Sequence, residues 1–293
     1  MFGTEHIIHY KLGDIMVAIS SNTSANVSNV YLNKNEKAAS KSLGQIASGK
    51  AINKASDNAA GLAIATQLLS DVSTLRQAST NILQGTSLLQ TADGALEQSG
   101  NILNRMKELS TQANSGSLDA NSRSAINDEY QNLKSELDNI SANTSFNGQK
   151  LVDGSFNNDF QVGTSATDTI SADLSSVNSS ATGLGLTAGA GNSASALLTP
   201  ASAQATSSEL DTAINNLAAA RAQVGSIQSS FSTRSDIVDS TIENTISAQS
   251  AIMDVDIGRA SSEFKNSKNL SELSLAAAAQ GNKMSSSLLR LVR

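Results

Sequence analysis

Leu88-Leu89-Gln90-Thr91-Ala92-Asp93-Gly94-Ala95-Leu96-Glu97-Gln98-Ser99-Gly100-Asn101-Ile102-Leu103-Asn104-Arg105-Met106-Lys107-Glu108-Leu109 carries two apolar seams at once. Leu89, Leu96 and Leu103 recur every seven residues, and Leu88, Ala92, Ala95, Ser99, Ile102, Met106, Leu109 and, just beyond, Ala113 step by three and four beside them. A stripe of that width predicts a helix that meets more than one partner helix. Toward the N-terminus the first seam runs back through Ile82, Ser79, Leu75, Val72, Leu68 and Ala65 to the cap-forming residues Ser56 and Asp57. A shorter helix is expected after Asp119, with Ile126, Tyr130, Leu133, Leu137 and Ile140 on one side. The C-terminal half has its own series, Leu210, Ala213, Leu217, Ala220, Val224, Ile227, Phe231, Arg234, Val238, Thr241, Thr245, Ala248 and Ile252, in which Arg234 and the two threonines are the weak members. Seams in both halves predict a mainly α protein: a long antiparallel heptad-helix bundle formed by the N- and C-terminal halves, with a small β-hairpin and loop region between them.

Composition narrows the options. The 293 residues include 3% aromatics, no tryptophan, no cysteine and one proline, Pro200. Packing therefore falls to Ala, Leu, Ile and Val, which bury modest area per residue and favour long repeated contacts. Without cysteine there is no disulfide, thiolate catalysis or cysteine-bound metal. A net charge of −6 argues against nucleic acid as a partner, and no run of about 18 apolar residues predicts membrane insertion.

Between the seams the character changes. Phe146-Asn147-Gly148 is a turn signal, and Phe160-Gln161-Val162 and Thr169-Ile170 suggest short strands. Residues 175–208, rich in Ser, Ala, Thr and Gly, are expected to form surface loop with little core of their own. Gly183-Leu184-Gly185, followed by Gly189 and Gly191, lacks the lysine of a phosphate loop and reads as a flexible turn.

Catalytic chemistry is nearly absent. His6 and His9 have no third ligand and read as a solvated tail. Asp254 and Asp256 lack the glycine and glutamate of a calcium loop and read as helix-breaking or capping residues. No catalytic residue, metal or cofactor is expected. Met1–Ile15 shows no secretory signal pattern, so Asn22 and Asn26 carry little weight as N-glycosylation sites.

Specific motifs then point to a family. Ile46-Ala47-Ser48-Gly49-Lys50-Ala51-Ile52-Asn53-Lys54-Ala55-Ser56-Asp57-Asn58-Ala59-Ala60-Gly61-Leu62-Ala63-Ile64-Ala65 resembles the N-terminal signature of bacterial flagellins. So do Leu103-Asn104-Arg105-Met106-Lys107-Glu108-Leu109, Thr144-Ser145-Phe146-Asn147-Gly148, Ser250-Ala251-Ile252-Met253-Asp254-Val255-Asp256 and the closing Leu288-Leu289-Arg290, all in the right order. Ala51 and Ala251 stand where the family usually carries arginine, and Met16-Val17-Ala18-Ile19 resembles the usual start. Either the true start is Met16 or residues 1–15 are an added extension, and mass spectrometry of the N-terminus decides between them.

The resemblance implies a non-enzymatic subunit that polymerises into the bacterial flagellar filament for swimming or swarming. It implies export through the flagellar type III apparatus without a cleavable signal and an extracellular location. Its expected divisions are an N-terminal inner-core segment (16–56), the N-terminal part of a helical rod (57–148), a short variable region (149–208), the C-terminal part of the rod (209–253) and a C-terminal inner-core segment (254–293). Polymerisation contacts are expected at Leu32, Leu43, Ile46, Leu273, Met284, Leu288 and Leu291, in end segments that order only against neighbouring copies. Implied partners are other copies of the chain, an export chaperone, filament cap and hook-associated proteins, and a host Toll-like flagellin receptor reading Arg105, Leu109, Gln112 and Glu129. A hook-filament junction protein and a coiled-coil surface stalk are the competing readings.

Overall fold

The computed structural model describes residues 23–186 and 195–291. Five α-helices occur among them: α1 (Thr23–Ser48), α2 (Ala59–Ala113), α3 (Ala120–Asn143), α4 (Pro200–Met253) and α5 (Ile257–Leu291). Two antiparallel pairs of strands lie between α3 and α4: β1 (Ser145–Phe146) with β2 (Gln149–Lys150), and β3 (Asn157–Gln161) with β4 (Thr169–Asp173). This is the mainly α architecture that the seams predict. The chain divides into two compact units, one ending at Leu69 and resuming at Ile246, the other spanning Ser70–Thr245.

In the Ser70–Thr245 unit the heptad residues form the core. Leu89, Leu96 and Leu103 are fully buried, as are Met106 and Ala113 from the second seam, and Leu210, Ala213, Val224 and Phe231 from α4. Gly85 lies against Phe231, Arg221 binds Asp93 at 3.0 Å, Gly100 meets Leu217, and Lys107 binds Asp211 at 2.6 Å. Residue numbers fall along α4 as they rise along α2, so the two helices run antiparallel. Asp119 caps α3 by accepting the Ser122 N–H at 3.2 Å, as its sequence position suggests. Arg123 then secures the preceding turn: its guanidinium donates to the carbonyl of Ala113 (3.0 Å), which the end of α2 leaves open, and to those of Leu118 (2.9 Å) and Ser115 (2.6 Å) in the turn itself. Tyr130 is buried under α3, and burial, reinforced by Glu209, pushes its phenol well above the ordinary value and keeps it neutral.

The region after α3 departs from expectation. Asn147 and Gly148, at φ 48° and 79°, form the two central residues of the β1–β2 hairpin, where positive φ matches the strand twist. Beyond it the Ser/Ala/Thr/Gly-rich stretch is not bare surface loop. Val177, Ala181, Leu184, Leu186, Ala196 and Leu197 are buried with Leu151, Val152, Phe156 and Leu174, and the chain is helical from Pro200. Its small residues let the backbone lie close on the helices, whose polar side chains replace water as partners. The Asp138 carboxylate accepts the Ala181 N–H at 2.8 Å, Asn127 Oδ1 accepts that of Leu197 at 3.1 Å, and Asn216 and Gln223 donate to the carbonyls of Leu184 and Asp173. Gly183-Leu184-Gly185 forms a turn with Gly185 at φ 90°. Gly189 and Gly191 lie outside the described residues, as do His6, His9 and Met1–Ile15.

Phe231 packs tightly against α2 in this unit. Its ring is fully buried and packs edge-to-face on Phe160 of β3, with centroids 5.4 Å apart at 81°. A Cβ added at Gly85 would stand 2.5 Å from Phe231 Cε1, whereas one at Gly94 of the same helix meets nothing within 4 Å. Gly85→Ala is therefore expected to destabilise the protein by about 1–3 kcal/mol through overpacking, outweighing a helix-propensity gain of about 1 kcal/mol. Gly94→Ala should stabilise it by about 0.5–1 kcal/mol. Urea unfolding of both variants checks the pair, and a Gly85→Ala protein as stable as the parent would show that the ring has room to move.

Candidate self-assembly surface

The other unit contains α1 and α5, which pack antiparallel on small residues. Ala25 and Ser42 of α1 and Ala260 and Ala278 of α5 are buried, and a Cβ at Gly281 would lie 3.6 Å from that of Ala25. Asn35 Nδ2 donates to Ser274 Oγ at 3.4 Å within this seam. Small side chains allow close approach but bury little apolar surface, and the large residues end up outside it. Leu43 is 51% exposed, Leu273 71% and Met284 57%. Leu270, Leu273, Ala277 and Met284 step by three, four and seven along α5, forming one stripe. Val27, Val30 and Tyr31 are exposed at the same kind of spacing on α1.

Among the residues expected to carry polymerisation, Leu32 and Ile46 are half-buried, and Leu43, Leu273 and Met284 are open. Leu288 and Leu291 fall within α5, but their side chains lie outside the described residues. Val27, Val30, Tyr31 and Leu275 are exposed as well, outside the expected set, although the i, i+3, i+4 spacing of the first three on α1 is itself a signal.

A main-chain latch joins the breaks that precede α2 and α5. Gly49 ends α1 at φ 69°, the left-handed conformation that terminates helices. The Ala51 N–H then donates to Met253 O at 2.6 Å, and the Val255 N–H to Gly49 O at 3.1 Å. Ile52, Ala65 and Met253 form a small buried cluster beneath the latch. Asp256 accepts the Arg259 N–H at 3.1 Å and caps α5, the role read from its sequence position. At the start of α2 the expectation needs correcting: Asn58, not Ser56 or Asp57, is the cap, accepting the Gly61 N–H at 2.9 Å. Asp57 is instead drawn into the turn before it, where it accepts the N–H groups of Asn53 (3.2 Å) and Lys54 (3.1 Å) and pairs with Lys41 at 3.1 Å. Ala51 and Ala251, the positions where arginine was expected, fall in the two segments that the latch joins.

The four residues matched to a receptor epitope belong to the Ser70–Thr245 unit. Arg105 donates through Nε and Nη2 to Glu129 Oε1 at 2.9 and 2.7 Å and through Nη1 to Glu108 at 3.0 Å, and these bonds, Glu129 first, hold its guanidinium more firmly protonated. Gln112 is exposed. Leu109 is 1% exposed because it lies on the core seam.

Among the described residues no group of three potential metal ligands occurs, and no helix is long and apolar enough to cross a membrane. Two protein-family models match the chain: the bacterial flagellin N-terminal helical region over residues 19–157 and the C-terminal helical region over residues 208–292. A flagellin of Bacillus subtilis is 35% identical, the match covering 89% of this chain and 95% of that protein. One of Halalkalibacterium halodurans is 34% identical over 90% and 94%. A solved Vibrio parahaemolyticus protein proposed to be flagellar hook-associated aligns over 68% of this chain and all of its own with a TM-score of 0.56, but at 14% identity that likeness speaks to the fold alone.

A heptad bundle together with a helix pair whose large apolar residues face outward defines a self-assembling structural subunit. Kinship over nearly the whole length narrows that class: the chain belongs to the bacterial flagellin family. It is a structural subunit of the flagellar filament.

Lys41, followed by the Lys54 N–H, holds the Asp57 carboxyl below its ordinary 3.8. A depressed folded-state value means that this contribution to stability is complete above the unfolded pKa and fades as pH falls through the folded one. NMR titration should therefore find Asp57 ionised below pH 3.8, and Lys41→Met should move its midpoint upward. An unmoved midpoint would show that the ion pair is not formed in solution.

Proposed function

We propose that the outward apolar faces of α1 and α5, centred on Leu43, Leu273 and Met284, are the principal contacts between subunits in the filament, and that Leu32, Ile46, Leu288 and Leu291 of the same two helices belong to the same polymerisation contacts. The supporting observation is the small-residue seam, which leaves Leu43, Leu273 and Met284 more than half exposed on the helices it joins. Fully burying such a side chain is worth roughly 1.5–3 kcal/mol, so a neighbouring copy supplies what the seam does not. Leu43→Asp and Leu273→Asp should each abolish filaments seen by electron microscopy while leaving the urea midpoint of the Ser70–Thr245 unit unchanged. Normal filaments from both variants would sink the assignment.

Thin burial also favours a free monomer in which α1 and α5 exchange amide hydrogens far faster than α2 and α4. Equal protection of all four helices in monomer hydrogen exchange would contradict this. Until assembly these faces need shielding, the task of an export chaperone, and at the filament ends they meet the cap and hook-associated proteins. Family membership supports export without a cleavable signal and an extracellular filament. It also supports recognition of free monomer by a Toll-like flagellin receptor through Arg105, Gln112 and Glu129, with Leu109 beneath them. Arg105→Ala monomer should then lose receptor signalling; unchanged signalling would remove Arg105 from the contact.

A further inference from the structure

Arg234 is the exception in the α4 seam. It lies between the buried residues Phe231 and Val238, at a position where the pattern calls for an apolar side chain, and is half-buried. Its guanidinium is a cation that carries five N–H donors. The other surface arginines placed near carboxylates take them: Arg221 binds Asp93, Arg105 binds Glu129, and Arg259 binds Glu263. Arg234 makes no ion pair or hydrogen bond among the described residues.

It lines an open groove of about 370 Å³ with Ile170 of β4 and Ser229, Ser230, Thr233 and Ile237 of α4. No acidic residue lines this groove. The Ser230 hydroxyl already donates to Ser226 O at 3.1 Å, and that of Thr233 to Ser229 O at 3.0 Å. The groove thus presents an unpaired cation flanked by apolar surface, including the half-exposed Ile237. The matching ligand is a carboxylate carried on a partly apolar surface.

We propose that this groove receives an aspartate or glutamate side chain from a second copy of the chain, which pairs with Arg234 across the filament contact. The proposal rests on the self-assembly reading and adds to it a specific contact in the Ser70–Thr245 unit. Charge complementarity favours another copy as occupant. The chain carries 26 carboxylate residues against 20 Lys and Arg, so each copy offers surplus acid to a neighbour. The pair would form only on assembly, when desolvation by the neighbour strengthens it.

Three measurements test it. Arg234→Gln should leave the urea midpoint of the monomer unchanged and raise the critical concentration for filament assembly about tenfold, the scale of one partly desolvated charge pair. Arg234→Lys should restore much of the assembly. Filaments of this variant, grown from a mixture of isotopically light and heavy monomers and treated with a water-soluble carbodiimide, should yield an amide between position 234 and an acidic residue, in mixed light–heavy peptides. Peptides of one isotope only would place the partner in the same subunit and overturn the proposal. So would Arg234→Gln monomers that assemble at the parental concentration. A fall in the Arg234→Gln urea midpoint without a cross-link between subunits would assign Arg234 to its own subunit's fold, with the same consequence. If the parent protein forms no filaments, the self-assembly reading fails first, before any variant is compared.

Discussion

Phe231 occupies the point where α4, α2 and the β3–β4 hairpin meet. In a chain with 3% aromatic residues and no tryptophan, Phe231 is the largest of the fully buried side chains. Gly85 removes the side chain that would block it, and Phe160 closes over it edge-on. This contact fixes the spacing of the two long helices and attaches the hairpin to them. Asn81 Nδ2, one turn from Gly85, donates to Gln161 O at 3.0 Å and holds the hairpin end at the same level. The heptad leucines continue the packing from there, but they are thinner and interchangeable in a way that the ring is not.

The two compact units use opposite kinds of seam. In Ser70–Thr245 most of the large seam residues point inward: Leu89, Leu96, Leu103, Leu210 and Phe231 are fully buried, whereas Leu83 and Ile237 stay exposed. Between α1 and α5 the inward positions go to Ala25, Ser42, Ala260 and Ala278, while Leu43, Leu273 and Met284 point out. Had the leucines faced inward, the helix pair would have satisfied itself and lost its reason to meet another copy. The small-residue seam therefore holds the pair in register while leaving its large apolar residues uncovered, as the proposed contact between copies requires.

The long helices were legible because their signal is periodic and local: Leu89, Leu96 and Leu103 needed only a count of seven, and Asp119 and Asn147-Gly148 needed only their neighbours. Burial of the region after β4 was not legible. Ala181, Leu184 and Leu197 look like members of a low-complexity loop, and what buries them is Asp138, Asn127 and Asn216, distant in sequence and unremarkable on their helices. The cap of α2 was misread for a related reason: Asp57 is as good a cap as Asn58 locally, but Lys41 and the amides of Asn53 and Lys54 claim it. For the assembly surface, the stripe of α5 could be read from its spacing. Which face would be left open could not, because that depends on the small residues that α1 sets against it.

The abundance of serine and threonine has a role in this division. Along α2 and α4 the hydroxyls of Thr74, Thr80, Thr91, Thr111, Thr212, Thr241 and Thr245 donate to the carbonyl four residues earlier. Each hydroxyl proton is thus satisfied within its own helix, so covering it strands no donor. A surface built this way is polar enough to keep a monomer in solution, yet it can be covered by a neighbour without the penalty that charged residues impose on leaving water. Residues that leave donors unspent on such a surface stand out, and Arg234 is one: its neighbours Ser230 and Thr233 donate within α4, whereas its guanidinium donates to no group among the described residues.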